Sequence, residues 1–162
     1  MGISDYVRRL REKVGTELLF LPSAACLVRD GGGRVLLVRH VEGRWMLPGG
    51  VVDPGETPAD AARRESWEEA GVLVDPYALA GVYGGPAHSV VYENGDETAW
   101  IVTVFHARIL GGEPHAHDDE TTDVGWFTPA EAAALEMAPA TRDTLESALA
   151  GIPFRETTWT PD

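Results

Sequence analysis

Cysteine is nearly absent, since the 162 residues contain one, Cys26. A lone thiol closes no internal disulfide, so a disulfide framework is excluded and a reducing cytoplasmic compartment is expected. Cys26 stands in an apolar run, where a buried and inert thiol is expected. Long hydrophobic runs are missing too. No stretch approaches the ~18 apolar residues of a membrane-spanning helix. The first residues carry Asp5, Arg8, Arg9 and Arg11 in place of an apolar signal core, so neither membrane insertion nor secretion is expected. Basic residues are scarce: 13 Lys and Arg against 26 Asp and Glu leave a formal charge of -13. Such a balance argues against long nucleic acid as a partner, because a site for many phosphates needs a basic surface. No internal repeat, low-complexity tract or linker interrupts the chain, and its length and 44% hydrophobic content suit a single domain over 1–162.

What the sequence does have is concentrated between Gly50 and Val72, GVVDPGETPADAARRESWEEAGV. Thr57 is a helix cap, Pro58 suits the first helical position, Asp60 favours the positive end and Gly71 is the stop. On the helix so framed, Glu65, Glu68 and Glu69 share one face at spacings of i, i+3 and i+4. Like charges at these spacings repel, and the only cations beside them are Arg63 and Arg64. The crowding makes sense around a cation. Oxygen donors alone suit a hard divalent ion, Mg²⁺ or Mn²⁺, and no Cys or His cluster in the stretch suggests zinc. The opposite stripe, Ala59, Ala62, Ser66 and Ala70, is small enough to let the helix lie close on a sheet, with its acidic face toward a cleft.

These residues resemble the Nudix box, G-x5-E-x7-R-E-U-x-E-E-x-G-U with U aliphatic. Gly50, Glu56, Arg64, Glu65, Glu68, Glu69, Gly71 and Val72 fall at the required positions, and Trp45-Met46-Leu47-Pro48-Gly49 is similar to the usual approach to the box. Ser66 departs from the pattern by standing where an aliphatic side chain is usual, which weakens the expected packing under the helix. The resemblance implies an α/β fold, an α/β/α sandwich around a mixed β-sheet. It implies metal-dependent hydrolysis of a nucleoside diphosphate linked to another group, by attack of water at phosphorus. A nucleoside triphosphate and an ADP-ribose-like molecule are both open as substrates, and a non-catalytic nucleotide-binding module is the alternative. Glu65, Glu68, Glu69 and the carbonyl of Gly49 are the implied metal ligands, with Glu65 open as ligand or general base and Arg64 orienting carboxylates. Glu120 is the candidate ligand from outside the helix, with Asp118 and Asp119 as rivals. Arg44 and Tyr83 are candidate substrate contacts, as partners of a small nucleotide.

Elsewhere, Ile3, Tyr6, Val7, Leu10 and Val14 recur at helical spacing over about 3–14, with Arg8, Arg9, Arg11 and Lys13 on the outer face. Such a helix packs on its own domain or forms a homodimer contact. Leu18–Leu21 and Ala24–Arg29 read as strand, Asp30-Gly31-Gly32-Gly33 as a turn and Arg34–Arg39 as the returning strand of a hairpin, with His40, Arg44 and Trp45 in the loop that follows. Val72–Val82 is expected to be extended, Asn94-Gly95 to form a tight turn and Thr98–Leu110 to be the long central strand. The stretch Glu113–Asp123 reads as an acidic loop, followed by a short strand at Val124–Thr128 and helices from Pro129 and Pro139. Tyr83, His88, Tyr92 and Trp100 are available in principle to stack on a base, although aromatics in strands more often belong to the core. His115 and His117 carry no assigned role. Strands alternating with helices indicate a mixed sheet between helices.

Overall fold

A computed structural model describes residues 4–160. Helix α1 (Asp5–Val14) is capped by Ser4, whose hydroxyl accepts from Val7 N–H, and it stops at Gly15; Ile3 of the expected helix lies outside the described residues. The remaining elements, in order, are β1 (Leu19–Val28), β2 (Val35–His40), β3 (Trp45–Met46), β4 (Gly49–Val51), α2 (Pro58–Ala70), β5 (Val72–Tyr83), β6 (Ser89–Val91), β7 (Glu97–Gly112), β8 (Thr121–Phe127), α3 (Pro129–Ala134) and α4 (Pro139–Leu149). A single 3-10 turn at Pro86–His88 joins β5 to β6. Among the described residues no helix is long and apolar enough to cross a membrane.

The strands form two sheets. One runs β4-β1-β7-β5, with β6 also paired to β7, and the other runs β3-β2-β8. The pairing of β1 with β7 is parallel and the rest are antiparallel, so the larger sheet is mixed. Period-two alternation explains the layering. Along β1, Ala24, Cys26 and Val28 face a core shared with Ala61, Ala62 and Ala70 of α2, while Ala25 and Leu27 face a second core shared with Ala132 of α3 and with Leu145 and Ala148 of α4. β2 alternates in the same way, Leu36 and Val38 toward the first core and Val35 and Leu37 toward the second. Strands buried on both faces between helical layers make an α/β/α sandwich, the architecture that the resemblance implies.

Three local expectations are corrected. β1 and β2 are not a hairpin ladder; they meet only at an isolated Arg29–Val35 bridge, because β4 and β7 already occupy both edges of β1 and β2 pairs with β3 and β8 instead. The intervening turn is built locally, Asp30 Oδ1 accepting from the amides of Gly32 and Arg34 at 2.9 Å each. Trp45 is in strand β3 and His40 ends β2, where a loop was expected. Arg11 does not stand on a free outer face. It donates to the carbonyls of Gly15, Glu17 and Glu97 and to Thr98 Oγ1, and so ties α1 to the start of β7.

Candidate active site

The frame of α2 is a capping box. Thr57 Oγ1 accepts from Asp60 N–H at 3.2 Å while the Asp60 carboxylate accepts from Thr57 N–H at 3.3 Å, and Gly71 ends the helix in the left-handed region at φ 65°. The seating face is made by Ala61, Ala62, Ser66 and Ala70, all fully buried; Ala59 of the expected stripe is only half-buried. Ser66 fills the aliphatic position without loss. Its hydroxyl donates to Ala62 O at 2.7 Å, and beside it burial pushes the Cys26 thiol up to about 11, as expected of an inert cysteine.

Close seating on β1 and β4 divides the three helix carboxylates. Glu69 is 3% exposed and accepts from Gly49 N–H at 2.9 Å, so it points under the glycine pair and does not line the open cleft. Burial pushes it up to about 8. Glu65, 2% exposed, is also raised by burial, against the pull of Arg64. Glu68 is half-exposed at its side chain, 50%. Gly49 must be glycine for reasons of space, since a Cβ there would lie 2.4 Å from Ala24 O and 2.6 Å from Ala25 Cα.

Arg64 holds the group together. Its Nε and Nη2 grip both oxygens of Glu56 at 2.7 and 3.0 Å, Nη2 also donates to Val51 O at 3.1 Å, and Nη1 donates to Glu65 Oε1 at 2.8 Å and to Glu68 Oε2 at 3.0 Å. The fork fixes the β4–α2 loop against the helix and leaves one oxygen each of Glu65 and Glu68 outside its grip. The Glu56 carboxylate is held below its usual range by this guanidinium.

Facing the helix is the loop before β8. Asp118 Oδ1 accepts from the amides of Glu120 and Thr121 at 3.1 and 2.7 Å, so that rival carboxylate shapes the turn. Glu120 is anchored through its backbone carbonyl, which accepts from Val41 N–H at 2.8 Å, and its carboxylate stands 3.8 Å from His40 Nε2. Together these walls bound a cleft of about 510 Å³ lined by Asp5, Asp53, Glu65, Glu68, Asp118, Asp119 and Glu120, with Arg64 as the basic residue among its lining. Asp5 and Asp53 were not anticipated. Asp53 lies within the variable run after Gly50, and Asp5 reaches the cleft from a helix remote in sequence, so neither gave a local signal.

The donor set is all oxygen and strongly anionic, which fits a hard divalent cation and fits no phosphate group without one. Among the described residues no three His, Cys, Asp or Glu side chains converge closely enough, as placed, to hold an ion by themselves.

The two candidate substrate contacts are placed elsewhere. Tyr83 is 2% exposed in the second core and its hydroxyl donates to Ile152 O at 2.8 Å, which leaves no ring face for a base. Arg44 is exposed on the β2–β3 turn and does not line the cleft. His88 is likewise buried, its Nε2 2.9 Å from Thr144 Oγ1. The core reading holds for Tyr83 and His88, whereas Tyr92 is exposed and Trp100 half-buried.

Comparison with known proteins gives the family. The NUDIX domain family model matches residues 19–148. A MutT-like protein of Streptomyces ambofaciens is 34% identical over 127 residues, 78% of this chain and 75% of that protein. A putative 8-oxo-dGTP diphosphatase 2 of Mycobacterium tuberculosis is 36% identical over 124 residues, 74% of this chain and 80% of that protein. In fold, the chain superposes on a NUDIX hydrolase from Nitrosomonas europaea with a TM-score of 0.67 at 22% identity, covering 84% of this chain and 93% of that one. With a family match over most of its length, every charged position of the box present and the sandwich in place, this chain belongs to the Nudix hydrolase family.

Proposed function

We propose that this Nudix hydrolase cleaves a nucleoside triphosphate at a phosphoanhydride bond, with Mg²⁺ or Mn²⁺ bound in the cleft. The observation that carries the reading is the cleft itself, seven carboxylates around a guanidinium already committed to three of the box glutamates. Glu65, Glu68 and Glu120 line the cleft and would hold the ion, whereas Glu69 and Gly49, the other ligands the resemblance implies, are not among its lining. When bound, the ion neutralises phosphate oxygens and lowers the pKa of a coordinated water. The chain's own residues do the rest. Arg64 keeps Glu65 and Glu68 at a fixed separation, Glu56 keeps Arg64 from turning toward substrate, and the close approach at Gly49 fixes Glu69 beneath the cleft floor. Water adds to phosphorus, the bridging oxygen leaves with its phosphate, and a cleft carboxylate takes the proton. Glu65, buried and raised by that burial, is suited to accept it.

The name of the mycobacterial relative makes oxidised deoxyguanosine triphosphate the first substrate to test. A panel of that compound, the ordinary nucleoside triphosphates and ADP-ribose is incubated with Mg²⁺ or Mn²⁺, and products are separated by chromatography. Turnover of a triphosphate that stops on addition of EDTA is expected. Turnover undiminished by EDTA, or nucleotide binding without products, overturns the reading.

A further inference from the structure

Beyond the end of β7, residues 113–120 pass across the C-terminal end of the catalytic helix α2. His115 N–H donates to Ala70 O at 3.1 Å and His117 N–H donates to Glu69 O at 3.3 Å, so the strap satisfies carbonyls that a helix end leaves open. Two residues apart on an extended segment, the imidazoles fall on the same side. Their ring centroids are 5.2 Å apart and the planes are nearly perpendicular, at 80°.

The hydrogen bonds of the rings fix their chemistry. His115 Nδ1 lies 2.7 Å from Glu113 O, and His117 Nδ1 lies 2.9 Å from Trp67 O. A backbone carbonyl only accepts, so in each ring Nδ1 carries a proton, and the neutral ring presents its lone pair at Nε2. A carbonyl acceptor behind the distal nitrogen is the outer-shell arrangement of metal-ligating histidines. The spacing agrees, because two imidazoles on one tetrahedral ion, with nitrogens ~2.1 Å from it, have ring centres ~5 Å apart. The C-terminal end of α2 adds the negative pole of its dipole, and the indole of Trp67, 5.2 Å from the His117 ring, covers one side. Gly71 makes the approach possible, since a Cβ there would lie 2.3 Å from His115 Cε1.

We infer that His115 and His117 form a second cation site on this protein, an open two-imidazole site for a borderline transition ion such as Zn²⁺, Ni²⁺ or Cu²⁺, distinct in ligand type from the carboxylate cleft. Neutral nitrogen donors discriminate against Mg²⁺, so the two sites select different ions. Both rings are exposed and the remaining coordination positions belong to water or an exogenous ligand.

The full-length protein is titrated calorimetrically with Zn²⁺ in excess Mg²⁺, which occupies the carboxylate cleft. One equivalent is expected to bind. In His115→Ala and in His117→Gln its affinity is expected to fall at least ~10-fold, the lower bound seen when even an outer-shell partner of a ligand is removed. Glu68→Gln should bind as the unmodified chain does. On the unmodified protein, which needs no variant to fold, the electron paramagnetic resonance spectrum of one equivalent of Cu²⁺ should show coupling to two imidazole nitrogens. Unchanged Zn²⁺ affinity in the double histidine variant, or a Cu²⁺ spectrum with only oxygen donors, overturns the inference.

Discussion

Glu68 and Glu69 are neighbours in sequence but differ in what surrounds them, and the difference sets what each substitution should do. Glu68 is half-exposed and held by Arg64, so Glu68→Gln is expected to leave thermal stability near its original value. Its kcat should fall ~100-fold or more, the size of loss that follows removal of one group stabilising charge in the transition state. Near-normal turnover with normal stability would remove Glu68 from the site. Glu69 is buried and titrates near 8, against an ordinary value of 4.5. Its folded-state pKa is raised, so its contribution to stability is fully present below about 4.5 and is lost as pH rises through about 8. Metal-free protein should therefore lose thermal stability across that window, and Glu69→Gln should flatten the loss. A pH profile equally steep in the variant would show that Glu69 ionises normally. Glu56 has the opposite sign: held low by Arg64, it contributes above the ordinary carboxylate range and fails on acidification.

Within α2, the departure of Ser66 from the aliphatic pattern has a measurable sign. Ala61, Ala62, Ser66 and Ala70 are fully buried and the Ser66 hydroxyl is satisfied inside its own helix. Restoring an aliphatic residue with Ser66→Leu should destabilise the protein by ~1–3 kcal/mol through overpacking against β1, read as a lower urea midpoint. An unchanged or higher midpoint would mean that the seat has room to spare. Much of this element was legible in the sequence because its signals are local: Thr57, Pro58 and Gly71 bound the helix where expected, although its seating divides Glu65, Glu68 and Glu69 among different surroundings. Asn94-Gly95 and the long β7 were legible for the same reason. Partner choice between strands was not. Nothing near Asp30 records that β4 and β7 take both edges of β1, and nothing near Glu69 records that Gly49 N–H will meet it. Tyr83 shows the same limit, since its burial depends on Ile152 and on the space left by Gly81.

Over the whole molecule, acidity and the site reinforce one another. A formal charge of -13 and a cleft lined by carboxylates oppose the approach of a polyphosphate to the cleft. Binding of a non-hydrolysable triphosphate analogue should therefore need Mg²⁺ or Mn²⁺ and should not be restored by NaCl alone, as calorimetry in EDTA with and without added salt can establish. Equal affinity in EDTA would place the triphosphate somewhere other than this cleft.

The parallel ladder of β1 and β7 joins Leu19 to Thr98 and Val28 to Ala107. During synthesis, β1 and α2 emerge long before the strand that completes their sheet, so the seat of the box helix has an open edge until β7 leaves the ribosome. Closing so distant a contact is entropically slow, which makes assembly of the site a late event in the life of the nascent chain. An early stop between Val72 and the start of β7 at Glu97 would leave every box residue translated but their seat without its completing strand.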